Sequence, residues 1–145
     1  MQTIPSNSYI SNRDWIREAI VGQDVILRGL SALDYLRLFV GYLEESKIEV
    51  FSKSLGPYEN IHYHVVDSFD GIDYLQDGGI LCSTFSQAVN DMLGDFDNAD
   101  EKALANALSN YYFLHNESFE GLFIKPENQK HFEYIKEWAM EYYDE

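Results

Sequence analysis

Cysteine is almost missing from this sequence: Cys82 is the only one in 145 residues. That excludes an intrachain disulfide framework and a cysteine-rich zinc site. Cationic residues are scarce too, with 10 Lys and Arg against 25 Asp and Glu, a formal charge of −15. A field of that sign repels phosphate backbones, so no direct nucleic-acid ligand is expected. Long apolar runs are lacking as well. The most apolar stretch, residues 30–43, is broken by Asp34 and Arg37 and falls short of the roughly 20 residues a membrane span needs. Residues 1–12 are polar and hold no apolar signal core, so the expected setting is cytoplasmic with no membrane partner. Asn116-Glu117-Ser118 matches a glycosylation acceptor, which without an export signal reads as a chance tripeptide.

No internal repeat and no Pro-, Gly- or Ser-rich linker divides the chain, so residues 1–145 are expected to form one domain. A hydrophobic content of 46% with 15% aromatics excludes intrinsic disorder despite the charge. A chain of this size can bury roughly 70% of its unfolded surface.

Helix starts are legible as cap pairs: Ser11 with Asp14, Ser31 with Asp34, Thr84 with Gln87, and Asn98 with Glu101. In each, the first side chain can accept from an orphan helix N–H, and the second suits the positive end of the helix dipole. Behind these starts lie apolar faces at helical spacing. Leu33, Leu36, Phe39 and Val40 make one, and Ala103, Leu104, Ala107, Leu108, Tyr111 and Tyr112 a second. Phe132, Ile135, Trp138, Ala139 and Tyr142 make a third, opening after Pro126. Mid-chain the period changes to two. Ile48 and Val50, then Ile61, Tyr63 and Val65, alternate about the turn Leu55-Gly56-Pro57-Tyr58. Asp70-Gly71 and Asp77-Gly78-Gly79 bracket a third strand, and Ile80-Leu81-Cys82 supplies a fourth. The expected fold is α+β: a small, largely antiparallel sheet in mid-chain, packed by N-terminal and C-terminal helices. Residues 1–24 would be a helical lead-in and 116–145 a C-terminal helix.

Catalytic motifs are missing: there is no phosphate-binding glycine loop, nucleophile elbow or helical histidine pair with a glutamate. Cys82, after Ile80 and Leu81, reads as an inert buried thiol. His62 and His64, two apart on a strand, point the same way and could share an ion if Asp67, Asp70 or Asp73 supplied a third ligand. The simpler reading makes them the wet face of a half-buried strand. Asp95, Asp97, Asp100 and Glu101 resemble a calcium loop only until counted: from Asp95 as position one, Asp100 falls where glycine is needed and Asn106 where the bidentate glutamate belongs. No metal or cofactor is expected.

Acids also stand where helix stability disfavours them. The last helix ends in Glu137, Glu141, Asp144 and Glu145, at a terminus whose dipole prefers cations, each misplaced charge costing about 0.3–1 kcal/mol. Tyr142 and Tyr143 stand beside them. Acids with tyrosines suit a basic protein partner. The residues expected to meet it are Asp95, Asp97, Asp100, Glu101, Glu137, Glu141, Tyr143 and Asp144, and the final helix is compatible with an isologous homodimer.

Two segments, Val25-Ile26-Leu27-Arg28-Gly29-Leu30-Ser31-Ala32-Leu33 and Gly79-Ile80-Leu81-Cys82-Ser83-Thr84-Phe85-Ser86-Gln87-Ala88-Val89-Asn90-Asp91-Met92-Leu93, resemble the C-terminal domain of AbiEi-type antitoxins of bacterial abortive-infection toxin–antitoxin pairs. The resemblance covers about residues 25–115. It implies a non-enzymatic antitoxin opposing a nucleotidyltransferase-like toxin, with Ser83, Thr84 and Asp91 in a structural strand-to-helix turn. Gln87 stands where that family usually has arginine. Only about two dozen residues precede Val25, too few for the winged helix usual there, so operator binding is not carried over. The charge then favours direct contact with a basic toxin. An acidic immunity or anti-defence protein mimicking DNA is the alternative, and a metal-dependent hydrolase built on His62 and His64 the third reading.

Overall fold

The computed structural model describes residues 17–18, 20, 22–36, 48–59 and 61–141. Its organising strand is one the sequence reading did not separate out. Val25–Leu27 (β1) is an apolar run buried at every position, the signature of a strand covered on both faces. Around it stand β2 (Ile48–Ser52), β3 (Ile61–Val65), β4 (Tyr74–Asp77) and β5 (Ile80–Ser83), in the order β3-β2-β1-β5-β4. The helices are α1 (Gly29–Tyr35), α2 (Phe85–Gly94), α3 (Glu101–Leu114) and α4 (Gln129–Glu141), with short 3₁₀ turns at Phe96–Asn98 and Pro126–Asn128.

The α+β class holds, but the sheet is mixed rather than largely antiparallel. β1 runs antiparallel to β2 and parallel to β5, while β2 and β3 are parallel; β4 and β5 are antiparallel. Nor do the helices simply flank a mid-chain sheet, because α1 lies between β1 and β2. The turn expected at Leu55-Gly56-Pro57-Tyr58 does lie between β2 and β3, and the parallel pairing that follows it has a local cause. Those residues turn the chain, but the segment then returns beside β2 instead of pairing back along it. Val66 N–H donates to the Ser52 carbonyl at 2.8 Å, and Tyr63 on β3 sits beneath the return, its hydroxyl accepting from Tyr58 N–H at 3.4 Å. Gly56 lies so close over the Tyr63 phenol that a Cβ there would clash with it.

The Asp77-Gly78-Gly79 turn is as expected: Gly78 and Gly79 both have positive φ and make the two-residue hairpin joining β4 to β5. Of the expected caps, Thr84 is in place, its hydroxyl accepting from Gln87 N–H at 3.2 Å. Two are corrected. Ser31 lies inside α1, 1% exposed, and its hydroxyl accepts instead from Glu49 N–H at 2.8 Å, tying helix to strand. Asp100, not Asn98, caps α3 by accepting from Ala103 N–H at 3.0 Å; Asn98 lies in the preceding 3₁₀ turn and donates to Asp95 at 2.8 Å. Ser11, Asp14, Phe39, Val40 and Tyr142 lie outside the described residues.

The core forms where one sheet face meets the helices. Leu27, Val50, Ile80 and Cys82 meet Leu33, Val89, Leu93, Leu104, Leu108 and Ile135 in one buried cluster. Cys82 is fully buried, as expected. α1 packs on α2, β2 and β5, and α3 packs along α4. Within this apolar setting, Asn90 of α2 is 4% exposed and uses both ends of its amide. Its NH₂ donates to the carbonyls of Ser86 and Phe123 at 2.8 and 2.7 Å. Its oxygen accepts from Lys125 N–H and from the Asn128 amide, each at 2.9 Å. This one side chain pins the segment between α3 and α4 onto α2.

Two measurements follow from this packing. Asn90→Leu strands the Phe123 carbonyl and the Lys125 N–H and leaves the Asn128 amide only its bond to the Asn90 backbone carbonyl, and should lower stability by about 3 kcal/mol. The urea midpoint should fall with little change in slope. Gly56→Ala should cost about 1–3 kcal/mol through overpacking, and a double-mutant cycle with Tyr63→Ala should recover most of that cost, because the clash lies in that pair.

Candidate functional site

A cleft of about 220 Å³ opens where the end of α2 faces the sheet, lined by Arg28, Gly29, Leu30, Glu49, His62, Asp91, Met92, Asp95, Asn98, Ala99 and Asp100. Each wall has a local origin. Arg28 directly follows β1, and its N–H donates to the Glu49 carbonyl at 3.0 Å, which fixes the two side by side. Glu49 and His62 are cross-strand partners and therefore share a face. Asp91 and Asp95 are four apart and so project from one side of the end of α2. Gly29 has φ +54, and a Cβ there would stand 3.1 Å from a Glu49 carboxylate oxygen, so glycine gives that carboxylate room as well as its turn.

The polar groups are unevenly satisfied. The Arg28 guanidinium lies 4.9 Å over the Phe51 ring and donates to Glu49 across 3.5 Å, a long single contact. Its Nε is buried without a partner. Asp91 accepts from the Gln87 amide at 3.0 Å through Oδ1, while its Oδ2 is buried without a partner. Such unmet groups cost about 1–3 kcal/mol each. Burial pushes the Asp91 carboxyl above its usual value, against the pull of the Gln87 hydrogen bond and of Arg28, Lys125 and His64. Its neighbour His64 is shifted down, first by partial desolvation and then by Arg28. The His64 ring stands edge-on to Phe51, 5.4 Å between centroids. Four carboxylates thus face one guanidinium, with Leu30, Met92 and Ala99 as apolar wall.

Of the residues expected to meet a partner, Asp95 and Asp100 come together at this cleft. Asp97 is exposed on the adjoining 3₁₀ turn and Glu101 is half-buried as α3 begins. Glu137 and Glu141 are exposed on α4, and Tyr143 and Asp144 lie outside the described residues. None of these six described acids is ion-paired with a described cation; the described pairs are Arg17–Asp77, Arg28–Glu49, Lys53–Asp24 and Lys136–Glu133. Tyr111 belongs to the interior, stacked between Phe85 and His115 with centroid distances of 4.6 and 3.9 Å. His62 and His64 are exposed on one face of β3, yet among the described residues no three His, Cys, Asp or Glu side chains gather into a metal-binding group.

The sequence reading missed Arg28, Glu49 and the part Asp91 plays. Asp91 with Asp95 was readable from helical spacing alone. The meeting of Arg28 with Glu49 was not, since it depends on the β1–β2 register. Gln87 links two parts of the site. Its amide oxygen accepts from Asp73 N–H at 3.0 Å while its NH₂ serves Asp91, and Thr84 donates to the Asp73 carboxylate at 2.9 Å. The turn beside β4 is thereby coupled to the cleft.

Because folding raises the Asp91 pKa above 3.8, the folded chain binds that proton more tightly than the unfolded one. The stability contributed is full below the unfolded pKa and is lost as pH rises through the folded one. Asp91→Asn should therefore gain stability relative to wild type as pH is raised through the Asp91 titration, read by urea denaturation on either side of it. No protein-family model, no curated protein and no solved structure matches this chain, so the cleft and the acidic corner beside it stand on their own chemistry.

Proposed function

We propose that this chain is a non-enzymatic antitoxin of the AbiEi kind, opposing a nucleotidyltransferase-like toxin by direct binding through its acidic surface. The observation that carries the reading is the set of unpaired acids at the corner between α2 and α3. Asp95, Asp97 and Asp100 are exposed there, and none is ion-paired with a described cation. With a chain charge of −15, such a corner attracts a basic protein surface and speeds encounter with it. Short-range hydrogen bonds to Asn98 and to Ala103 N–H hold two of these carboxylates in place, which lowers the cost of ordering them on contact. The two segments that carry the family resemblance fold as strand-to-helix units, β1 into α1 and β5 through Thr84 into α2, which supports the reading further.

The test is co-expression with the neighbouring open reading frame, followed by growth rescue and co-purification. Rescue with fixed-stoichiometry co-purification is expected. The double variant Asp95→Lys/Asp97→Lys should slow association by about tenfold and flatten its salt dependence. Rescue without co-purification would sink direct binding and keep the antitoxin. A neighbour without toxicity would sink the antitoxin, and binding to a nuclease's DNA channel would then be measured for the DNA-mimic reading.

A further inference from the structure

Two buried polar atoms without partners, the Nε of Arg28 and the Oδ2 of Asp91, belong to residues lining the same cleft. One is a donor and the other an acceptor, so each is what the other lacks. The existing restraint on Arg28 is weak, a single 3.5 Å contact with Glu49 where a bidentate arginine–carboxylate pair would be shorter and doubled. The guanidinium rests over the Phe51 ring, a flat surface across which it can move without losing its stacking partner.

We propose that Arg28 is a shared internal cation, held by Glu49 while Asp91 carries a proton and drawn to Asp91 when that proton leaves. The proton goes to solvent through the open side of the cleft. The Nε–H then meets the Asp91 carboxylate, and Glu49 is released with its charge facing the cleft. The groups around Asp91 permit this exchange. Arg28 comes from the link into α1, Glu49 from β2, His62 and His64 from β3, Asp95 from the end of α2, Asp100 from the cap of α3, and Lys125 from the segment before α4. Of the cations, Arg28 alone touches Glu49 among the described residues. Gln87 keeps hold of the other Asp91 oxygen, so the carboxylate stays oriented as its charge changes.

The experiment is a pH titration of the full chain by NMR, following the Asp91 and Glu49 carboxyl carbons together with the Arg28 Nε–Hε resonance. The expected result is one shared midpoint: the Arg28 resonance moves as Asp91 ionises, and Glu49 shows a second inflection there. Asp91→Asn should remove the inflection from both. An Arg28 resonance that stays flat through the Asp91 titration overturns the proposal, as does an inflection at Glu49 that survives Asp91→Asn. Should Asp91→Asn fail to fold, Glu49→Gln carries the test. It leaves Arg28 free for Asp91, so the Asp91 midpoint must fall and the Nε–Hε signal must become slower to exchange. An unmoved midpoint and unchanged exchange would overturn the exchange of partners.

Discussion

Three residues join the two halves of the sheet. Without Val25–Leu27, the order β3-β2-β1-β5-β4 separates into one parallel pair and one hairpin, and two-stranded pieces are marginal in water. β1 binds them by pairing antiparallel on one side, where Leu27 faces Val50, and parallel on the other, where it faces Cys82. Burial on both faces leaves no position in the strand where a polar residue would be tolerated. The same register sets Arg28 beside Glu49 as the strand ends. The cleft is therefore a by-product of how the sheet is closed at its centre.

What could be read from the sequence was what depends on near neighbours. The Thr84 cap, the Asp77-Gly78-Gly79 hairpin and the apolar faces of α3 and α4 are each settled within a few residues, and each is where the pattern put it. β1 was not legible as a strand because a short apolar run fits a buried strand or the start of a helix equally well. The parallel pairing of β2 and β3 was not legible because a turn signal says that the chain reverses, not whether it reverses once or twice. Ser31 shows the same limit. Its spacing to Asp34 makes a good cap, yet the hydroxyl is used across 18 residues by the β2 backbone, and no local pattern reports on that. For the cleft, the acids at Asp95 and Asp100 were found from charge in unusual density, whereas Asp91 looked like part of a turn because its burial is a tertiary fact.

The acidic composition does two separate things here. Most of the carboxylates among the described residues are exposed and contribute to the long-range field that supports the binding reading. Asp91 plays the other part, a carboxylate that burial makes reluctant to ionise in the middle of a strongly negative chain. The sheet brings an arginine to a cleft wall crowded with acids, and the Phe51 ring beneath it limits how much water can compete for that charge.

Asn90 is followed in sequence by Asp91, and the same helix that makes it indispensable also shields its chemistry. Loss of the side-chain amide nitrogen would turn a donor to two carbonyls into a carboxylate facing both, converting attraction at Ser86 and Phe123 into repulsion. That hydrolysis begins when the next backbone nitrogen attacks the side-chain carbonyl. Here that nitrogen lies in the middle of α2, and the carbonyl oxygen is held by Lys125 and Asn128. So long as α2 stays wound, the chain cannot readily age at this position. Only opening of α2 through its middle would expose it, giving the domain a chemical record of how often that helix opens.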